Sequence, residues 1–259
     1  MPLLDIGDCK LYYELEGSKN APTLLFSNSL GTTLAMWEPQ LATLIRDFSI
    51  LRYDTRGHGK SSVTPGPYSI DQLANDVLQL LDRLSIPQVD FCGLSMGGMT
   101  GMSLAIRVPQ RLRKLVLCNT APRIGSADVW NTRIETVRKG GMPAVVEGVL
   151  DRWFMPSFRS ASPAAVESTR QMLLNTPVDG YIANCAAVRD MDARESISRI
   201  GMPTLIICGT HDPVVSIADN RLIEQKIRGA QFKELSASHL SNIEAAEAFN
   251  MELVRFLKA

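Results

Sequence analysis

Short apolar runs alternate with longer amphipathic segments along most of the chain. Six of the runs are apolar on both faces, and most are followed directly by glycine, asparagine or aspartate. They cover residues 23–27, 49–53, 88–92, 114–118, 204–208 and 231–235. Runs of this kind are typical of strands that are buried under helices on both faces of a sheet.

The amphipathic segments predict helices between these strands. Apolar residues recur at helical spacing over residues 70–84 and again over residues 242–257. Strands that alternate with such helices are the mark of crossover connections. The pattern therefore predicts an α/β fold built on a mostly parallel sheet.

The alternation stops between residues 122 and 199. This stretch contains no strand-like run, and its helical segments are interrupted by proline and glycine. Because the alternation resumes afterwards, the stretch is best explained as an insertion rather than a second domain. We expect a core domain over residues 1–121 and 200–259, with a helical cap over residues 122–199 inserted into it.

Composition narrows the classes of function. The 259 residues carry 27 basic and 27 acidic side chains and are 45% hydrophobic, so nucleic-acid binding is not expected. We also expect neither a secretion signal nor a membrane span, because no apolar segment has the required length and position. The five cysteines show no Cys-x-x-Cys pair, which indicates reduced thiols in a cytoplasmic protein.

The most informative motif is Gly-x-Ser-x-Gly at residues 93–97. It follows an apolar run and precedes a helix that the pattern predicts over residues 99–108. This order is that of a nucleophile elbow, in which a tight turn exposes a serine above the sheet. Glycine is needed beside the serine because the turn leaves no room for side chains. Ser95 is therefore the candidate nucleophile.

A serine hydroxyl needs a base, and the chain has only three histidines. We expect His239 to be that base, since it follows the last predicted strand. His58 and His211 are expected to be structural or loop residues. The orienting carboxylate should lie between the serine and the base at a strand end, and Asp212 satisfies this order. Asp54 precedes the serine and is expected to brace the turn that follows it.

The tetrahedral intermediate of such a reaction needs backbone donors for its oxyanion. The residue after the nucleophile, Met96, is expected to supply one N–H. The second is expected from Leu30, where Gly31 gives the loop room to fold toward the serine.

No cofactor or metal is expected. The Gly-Lys-Ser sequence at residues 59–61 lacks the earlier glycine of a phosphate loop, and the glycines at 57 and 59 lack the third glycine of a dinucleotide fingerprint. No histidine and cysteine cluster has zinc spacing.

Five segments together resemble the α/β-hydrolases and, among them, the 3-oxoadipate enol-lactonases. The segments are FSNSLGT (26–32), RYDTRGHG (52–59), FCGLSMGG (91–98), CGTHDP (208–213) and ASHLSN (237–242). Most α/β-hydrolases have histidine-glycine where this chain has Asn28-Ser29, and that difference is similar to the lactonases. The elbow and triad alone indicate only the superfamily.

The resemblance implies an eight-stranded, mostly parallel sheet and hydrolysis of 3-oxoadipate enol-lactone to 3-oxoadipate through an acyl-enzyme. Water is the implied co-substrate, and the lactone carries a free carboxylate. A buried carboxylate requires a cation or several amides. We expect Arg133 to bind it, with Trp130 as an apolar wall one helical turn away, and Trp153 and Arg152 as alternatives.

Other activities share the same elbow. A plain carboxylesterase, a hydrolase that cleaves carbon-carbon bonds of ring-cleavage products and a cofactor-free haloperoxidase or perhydrolase all remain open. A ligand receptor with an idle triad is less consistent with the complete set of Ser95, Asp212 and His239. Sequence does not indicate the oligomeric state.

Overall fold

The computed structural model describes residues 3–18 and 20–259. Within these residues eight strands form one sheet. The strands are β1 (Leu3–Asp5), β2 (Lys10–Gly17), β3 (Thr23–Ser27), β4 (Ser49–Tyr53), β5 (Val89–Leu94), β6 (Leu112–Cys118), β7 (Thr204–Gly209) and β8 (Gln231–Leu235). All six predicted strands are present, three of them with the predicted bounds.

Helices occupy both the connections and a long insertion. They are α1 (Glu38–Leu44), α2 (Ile70–Arg83), α3 (Met96–Arg107), α4 (Ala127–Gly140), α5 (Pro143–Trp153), α6 (Pro156–Ala161), α7 (Pro163–Leu174), α8 (Val178–Asp190), α9 (Ile217–Lys226), α10 (Ser241–Glu244) and α11 (Ala246–Lys258). No helix in the described part of the chain is long and apolar enough to cross a membrane.

The spatial order of the strands is β1-β2-β4-β3-β5-β6-β7-β8. Strands β1 and β2 are antiparallel to their neighbours, and β3 to β8 are parallel. Strands β4, β5 and β7 are buried at every position, which explains why they are apolar on both faces. Because β5 to β8 are adjacent and parallel, their carboxyl ends share one edge of the sheet.

Two predicted helix bounds are wrong. Helix α3 begins at Met96, three residues before the predicted start at Met99, because the turn at Ser95 leads directly into the first helical residue. The predicted helix over residues 242–257 is two helices. Ala245 separates α10 from α11 with a non-helical φ of −121°.

Five helices, α4 to α8, lie between β6 and β7 in the chain, and we call them the helical insertion. Helix α4 begins where the Ser126 hydroxyl accepts a hydrogen bond from Val129 N, and Gly141, whose φ is 66°, caps its C-terminal end. Helix α4 packs against both α5 and α8. The insertion thus has its own helix-helix contacts.

Helix α8 also packs closely on the core. A Cβ atom added to Gly180 would lie 2.1 Å from the carbonyl oxygen of Gly57, so the two backbones touch. Asn184 Nδ2 donates a hydrogen bond to the Arg56 carbonyl at 2.8 Å, and Tyr68 N donates to the Ala183 carbonyl at 3.2 Å. Backbone contact at this density fixes α8 against the loop that follows β4.

Candidate active site

Ser95 lies in a sharp turn between β5 and α3. Its φ of 56° and ψ of −116° are unusual for a residue with a side chain. The turn is held in place by a hydrogen bond from Ser95 N to the Cys118 carbonyl at 2.9 Å, and by one from Thr120 Oγ1 to the Ser95 carbonyl at 2.7 Å. Both partners belong to β6 and the loop after it. The serine is thus anchored at the carboxyl edge of the sheet.

The glycines of the motif are required by close backbone approach. A Cβ atom on Gly93 would lie 2.3 Å from the Gly97 carbonyl oxygen, and one on Gly97 would lie 2.1 Å from the Ser27 carbonyl oxygen. Real side chains do not tolerate such distances. The tight turn therefore requires glycine at both positions, which explains the Gly-x-Ser-x-Gly spacing.

Asp212 and His239 meet at the same edge. His239 Nδ1 lies 2.7 Å from Asp212 Oδ2, and both side chains are buried. Val214 N donates a hydrogen bond to the other carboxylate oxygen, Oδ1, at 2.7 Å. When the carboxylate accepts from Nδ1–H, the neutral imidazole has Nε2 as its free acceptor. That is the tautomer a general base needs.

The environment keeps Asp212 ionised. Burial raises the pKa of the Asp212 carboxyl, but attraction to His239 in its protonated form and hydrogen bonds from His239, Asn119 and Val214 outweigh that effect. The net pKa lies below the ordinary value of 3.8.

The Ser95 hydroxyl is not hydrogen-bonded to His239 in this structure, nor to any other described residue. The serine follows β5 and the histidine follows β8, so both lie at the shared carboxyl edge. Catalytic hydrogen bonds are often long or unformed before substrate binds. The structure thus pairs the acid with the base and places the serine at the same edge of the sheet.

The expected oxyanion donors are Leu30, in the loop after β3, and Met96, at the start of α3. Over residues 3–18 and 20–259, neither Leu30 N nor Met96 N donates a hydrogen bond. Met96 is the first residue of α3, where an N–H has no partner in the helix. The positive end of the α3 dipole also favours negative charge at this point.

His58 supports the Leu30 loop, a role beyond the turn-shaping expected from the sequence. Gly31 N donates a hydrogen bond to His58 Nε2 at 2.8 Å. Burial lowers the pKa of His58 to about 4, so the ring is neutral and can accept this bond. Because Gly31 follows Leu30 directly, a neutral His58 orients the peptide next to the candidate oxyanion donor.

Asp54 braces the turn after β4, as expected. Its carboxylate accepts hydrogen bonds from Lys60 N at 2.9 Å and from Leu34 N at 2.8 Å. His211 is exposed and contacts Thr210, with 3.0 Å between its Nδ1 and Thr210 Oγ1. Neither residue contacts the Asp212–His239 pair through its side chain.

Sequence reasoning missed two residues around the base. Asn119, directly after β6, donates from Nδ2 to Asp212 Oδ2 at 2.9 Å. Glu244, at the end of α10, accepts hydrogen bonds from Ser238 N at 2.6 Å and from Met155 N at 2.8 Å. Asparagine after a strand and glutamate in a short helix are common, so neither carries a local signal.

Glu244 joins the loop that carries His239 to the helical insertion. Its carboxylate bridges Ser238, the neighbour of His239, and Met155, just beyond α5. A second link runs from Leu240 N to the Trp153 carbonyl at 3.2 Å. Burial raises the pKa of Glu244, and the two backbone donors oppose that shift.

The three predicted substrate residues lie in the helical insertion. Trp130 and Trp153 are buried, and the Trp153 ring lies 6.2 Å from the His239 ring between centroids. Arg133 is half-buried over the Trp130 ring, with 5.3 Å from its Cζ to the ring centroid. Its Nη1 also lies 3.5 Å from the Tyr181 hydroxyl. Trp153 is thus the one of the three with a ring contact to the base among the described residues.

Arg152 accompanies Arg133 from the neighbouring helix. Burial lowers the pKa of Arg152, and the positive charge of Arg133 lowers it further. Neither arginine forms an ion pair with a carboxylate in the part of the chain that the structure describes. The positive charge of these two guanidinium groups is therefore not balanced by an ion pair within the described residues.

Comparison with known proteins identifies the family. A family described as alpha/beta hydrolase fold matches residues 22–148. The chain is 43% identical over 98% of its length to "3-oxoadipate enol-lactonase 2" of Acinetobacter baylyi, of which it covers 96%. The chain belongs to the alpha/beta hydrolase family. The predicted fold class, with eight strands in a mostly parallel sheet, is confirmed.

Two further proteins resemble this alpha/beta hydrolase closely. It is 41% identical over 96% of its length to "3-oxoadipate enol-lactonase 1" of the same organism, of which it covers 93%. It also superimposes on the crystal structure of the enol-lactonase from Burkholderia xenovorans LB400 with a TM-score of 0.98. That pair is 45% identical, and all of both chains is covered.

Proposed function

We propose that this hydrolase opens 3-oxoadipate enol-lactone to 3-oxoadipate, a step in the breakdown of aromatic compounds. The observation that carries the proposal is the similarity of the chain to two proteins named 3-oxoadipate enol-lactonases. The sequence identity to them is 43% and 41% over nearly the whole chain. The geometry at the carboxyl edge of the sheet supports the same chemistry. No metal or cofactor takes part in the proposed reaction.

In the proposed mechanism, Ser95 Oγ attacks the lactone carbonyl and His239 Nε2 takes its proton. The tetrahedral intermediate collapses as the ring C–O bond breaks, and His239 returns the proton to the leaving enol oxygen. Water then attacks the acyl-enzyme with His239 again as base, which restores Ser95. Asp212 holds the imidazole in one tautomer throughout, through the 2.7 Å contact at Nδ1.

The oxyanion of each intermediate is assigned to the N–H groups of Leu30 and Met96. Both groups lack a protein acceptor among the described residues, and the Leu30 loop is supported from behind by the 2.8 Å bond between Gly31 and His58. Donors that are fixed before the reaction stabilise developing charge without reorganisation.

The substrate carboxylate is assigned to Arg133, with Arg152 as its partner. The Arg133 guanidinium reaches the Tyr181 hydroxyl, and a Cβ atom on Gly31 would lie 3.1 Å from the Tyr181 ring. Tyr181 therefore connects the arginine to the candidate oxyanion loop. A carboxylate at this position would neutralise the repulsion between the two guanidinium groups.

Trp130 and Trp153 are assigned to the apolar wall of the pocket, and the helical insertion to a cap over it. Helix α5 contacts the loop of His239, and α8 contacts the loop after β4. We place the reaction in the cytoplasm, because all five cysteines lie in the described residues as buried free thiols.

The test presents the purified protein with the enol-lactone and with a neutral aryl ester, and compares kcat/KM. We expect the lactone to be preferred by about 100-fold or more, since only the lactone uses the arginine pair. Ser95→Ala should abolish turnover of both. A preference for the aryl ester would contradict the lactonase function and leave an esterase. Turnover by the alanine variant would contradict the mechanism.

A further inference from the structure

Asn119 contacts the acid of the candidate acid-base pair and the segment that carries the base. Its Nδ2 donates to Asp212 Oδ2 at 2.9 Å, the same oxygen that accepts from His239 Nδ1. The same Nδ2 lies 3.2 Å from the Ser238 carbonyl. Its Oδ1 accepts a hydrogen bond from Ser241 Oγ at 2.6 Å. One amide therefore spans the acid loop and both sides of His239.

The backbone conformation at residue 119 also favours asparagine. Its φ of 44° is in the left-handed region, where asparagine is tolerated better than most residues with side chains. Asn119 N also donates to the Ile207 carbonyl of β7 at 2.9 Å. The residue is fully buried, at 0% exposure, so it does not contact solvent. The conformation aims the amide across the end of β7 toward the loops after β7 and β8.

The orientation of the amide is fixed by chemistry. Ser241 Oγ–H donates to Oδ1, and a flipped amide would place Oδ1 against the carboxylate of Asp212. The donor side of the amide must therefore face the acid. A donor at Oδ2 fixes the carboxylate in the plane that receives His239 Nδ1–H, and it favours the ionised form. Gly209 leaves space for this amide, because a Cβ atom there would lie 2.9 Å from Asn119 Nδ2.

We propose that Asn119 is a positioning residue that holds the Asp212 carboxylate and the His239 loop in reactive alignment. This inference rests on the proposed triad. It predicts that loss of the amide slows activation of the Ser95 hydroxyl while substrate binding is retained, since Asn119 is covered on all sides.

The experiment measures the reaction of Ser95 with diisopropyl fluorophosphate, which requires no knowledge of the natural substrate. Ser95 Oγ bonds to phosphorus, fluoride leaves, and His239 takes the hydroxyl proton. Mass spectrometry identifies the adduct at Ser95. Asn119→Ala should slow labelling by about 10- to 100-fold, the effect of one hydrogen bond to a charged group. Steady-state turnover should show the loss in kcat, with KM within about threefold.

Asn119→Asp keeps the shape and the left-handed backbone but lacks the N–H donor. The introduced carboxylate beside Asp212 should stabilise the imidazolium of His239 and so raise the pKa of the base. The acid limb of the pH–rate profile should therefore move to higher pH. A purely structural role would lower the melting temperature without a selective loss of kcat. Asn119→Gly also fits the backbone and tests amide removal if the alanine variant does not fold.

Asn250→Ala is the matched control. Asn250 is a buried asparagine whose amide contacts Gln40, Pro39 and Thr43 rather than the triad. It should lose stability but label at the original rate. Folded Asn119 variants that label within twofold of the original rate would overturn the inference. Labelling of Ser95→Ala at another site would instead overturn the proposed nucleophile.

Discussion

Met155 and Glu244 are joined by a hydrogen bond of 2.8 Å from the backbone N–H to Oε1, although they are 89 residues apart. The other carboxylate oxygen of Glu244 accepts from Ser238 N, next to His239. The helical insertion and the loop of the base therefore share one carboxylate. We therefore expect a change in the position of α5 to move the loop that carries the imidazole.

Glu244→Ala should reduce both stability and turnover. Two backbone N–H groups would lose a charged acceptor, so we expect the free energy of unfolding to fall by about 2 to 4 kcal/mol. We expect kcat to fall by about tenfold, because the His239 loop loses a support. Urea unfolding and steady-state kinetics measure the two effects. Glu247→Ala, at an exposed position on α11, should change neither. Unchanged kcat in a folded Glu244 variant would contradict the coupling.

The buried His58 predicts a pH-dependent stability. Its pKa is lowered by burial from 6.5 to about 4, so below pH 6.5 the unfolded chain takes up a proton that the folded chain does not. Stability should therefore fall between pH 6.5 and about 4, by about 3 kcal/mol in total. His58→Gln keeps an acceptor for Gly31 N but does not titrate. In urea unfolding from pH 7 to 4, the stability advantage of the original protein over this variant should shrink. Parallel curves would contradict the assignment.

The arginine pair predicts selectivity for an anionic substrate. Arg133→Ala should raise KM for a lactone with a carboxylate by about 10- to 100-fold, the value of a buried charged hydrogen bond. KM for a neutral aryl ester should change by less than about threefold, because that substrate makes no such contact. Arg152→Ala should act in the same direction with a smaller effect.

Arg138→Ala is the control for the arginine pair. Arg138 lies on the same helix as Arg133, is exposed and pairs with Glu135. Its replacement should affect neither substrate. Equal changes in KM for the lactone and the ester in the Arg133 variant would remove Arg133 from the carboxylate site.

Replacing a glycine of the elbow should cost far more stability than replacing a glycine in open space. In Gly97→Ala, the new Cβ would meet the Ser27 carbonyl oxygen at 2.1 Å, so we expect a loss of more than about 3 kcal/mol of stability or no soluble protein. Gly201→Ala meets nothing within 4 Å and should be within about 1 kcal/mol of the original protein. Thermal melting and soluble yield compare the two variants. A stable Gly97 variant would contradict the close approach.

The buried strands were the most predictable part of the fold. Strands β3, β4 and β8 begin and end at the predicted residues. Strands β3 and β4 are almost fully buried, so apolar side chains fill most of their positions. Arg52 of β4 is an exception, and it pairs with Glu14 and Glu38. Strands β1 and β2 were not predicted. Strand β2 is only partly buried, carries two glutamates, and pairs antiparallel with β1 and β4. It therefore lacks the continuous apolar run that is typical of the central parallel strands.

Ser95, Asp212 and His239 could be nominated from sequence because chain order and strand ends are local signals. Asn119 could not. Its side-chain partners Asp212, Ser238 and Ser241 are 93, 119 and 122 residues away along the chain. Only the left-handed backbone after β6 and the register of β6 to β8 bring them together. Contacts of this range are a property of the topology and leave no mark on the neighbouring sequence.

The contact between Gly57 and Gly180 has a practical consequence for protein engineers. Because the two main chains touch there, α8 cannot slide over the core, and any larger residue at either position would push it away. Chimeras that exchange the helical insertion for that of another hydrolase should therefore keep α8 and place the crossover before it. An exchanged insertion that includes its own last helix would need glycine at the position of Gly180 to pack equally close to the core.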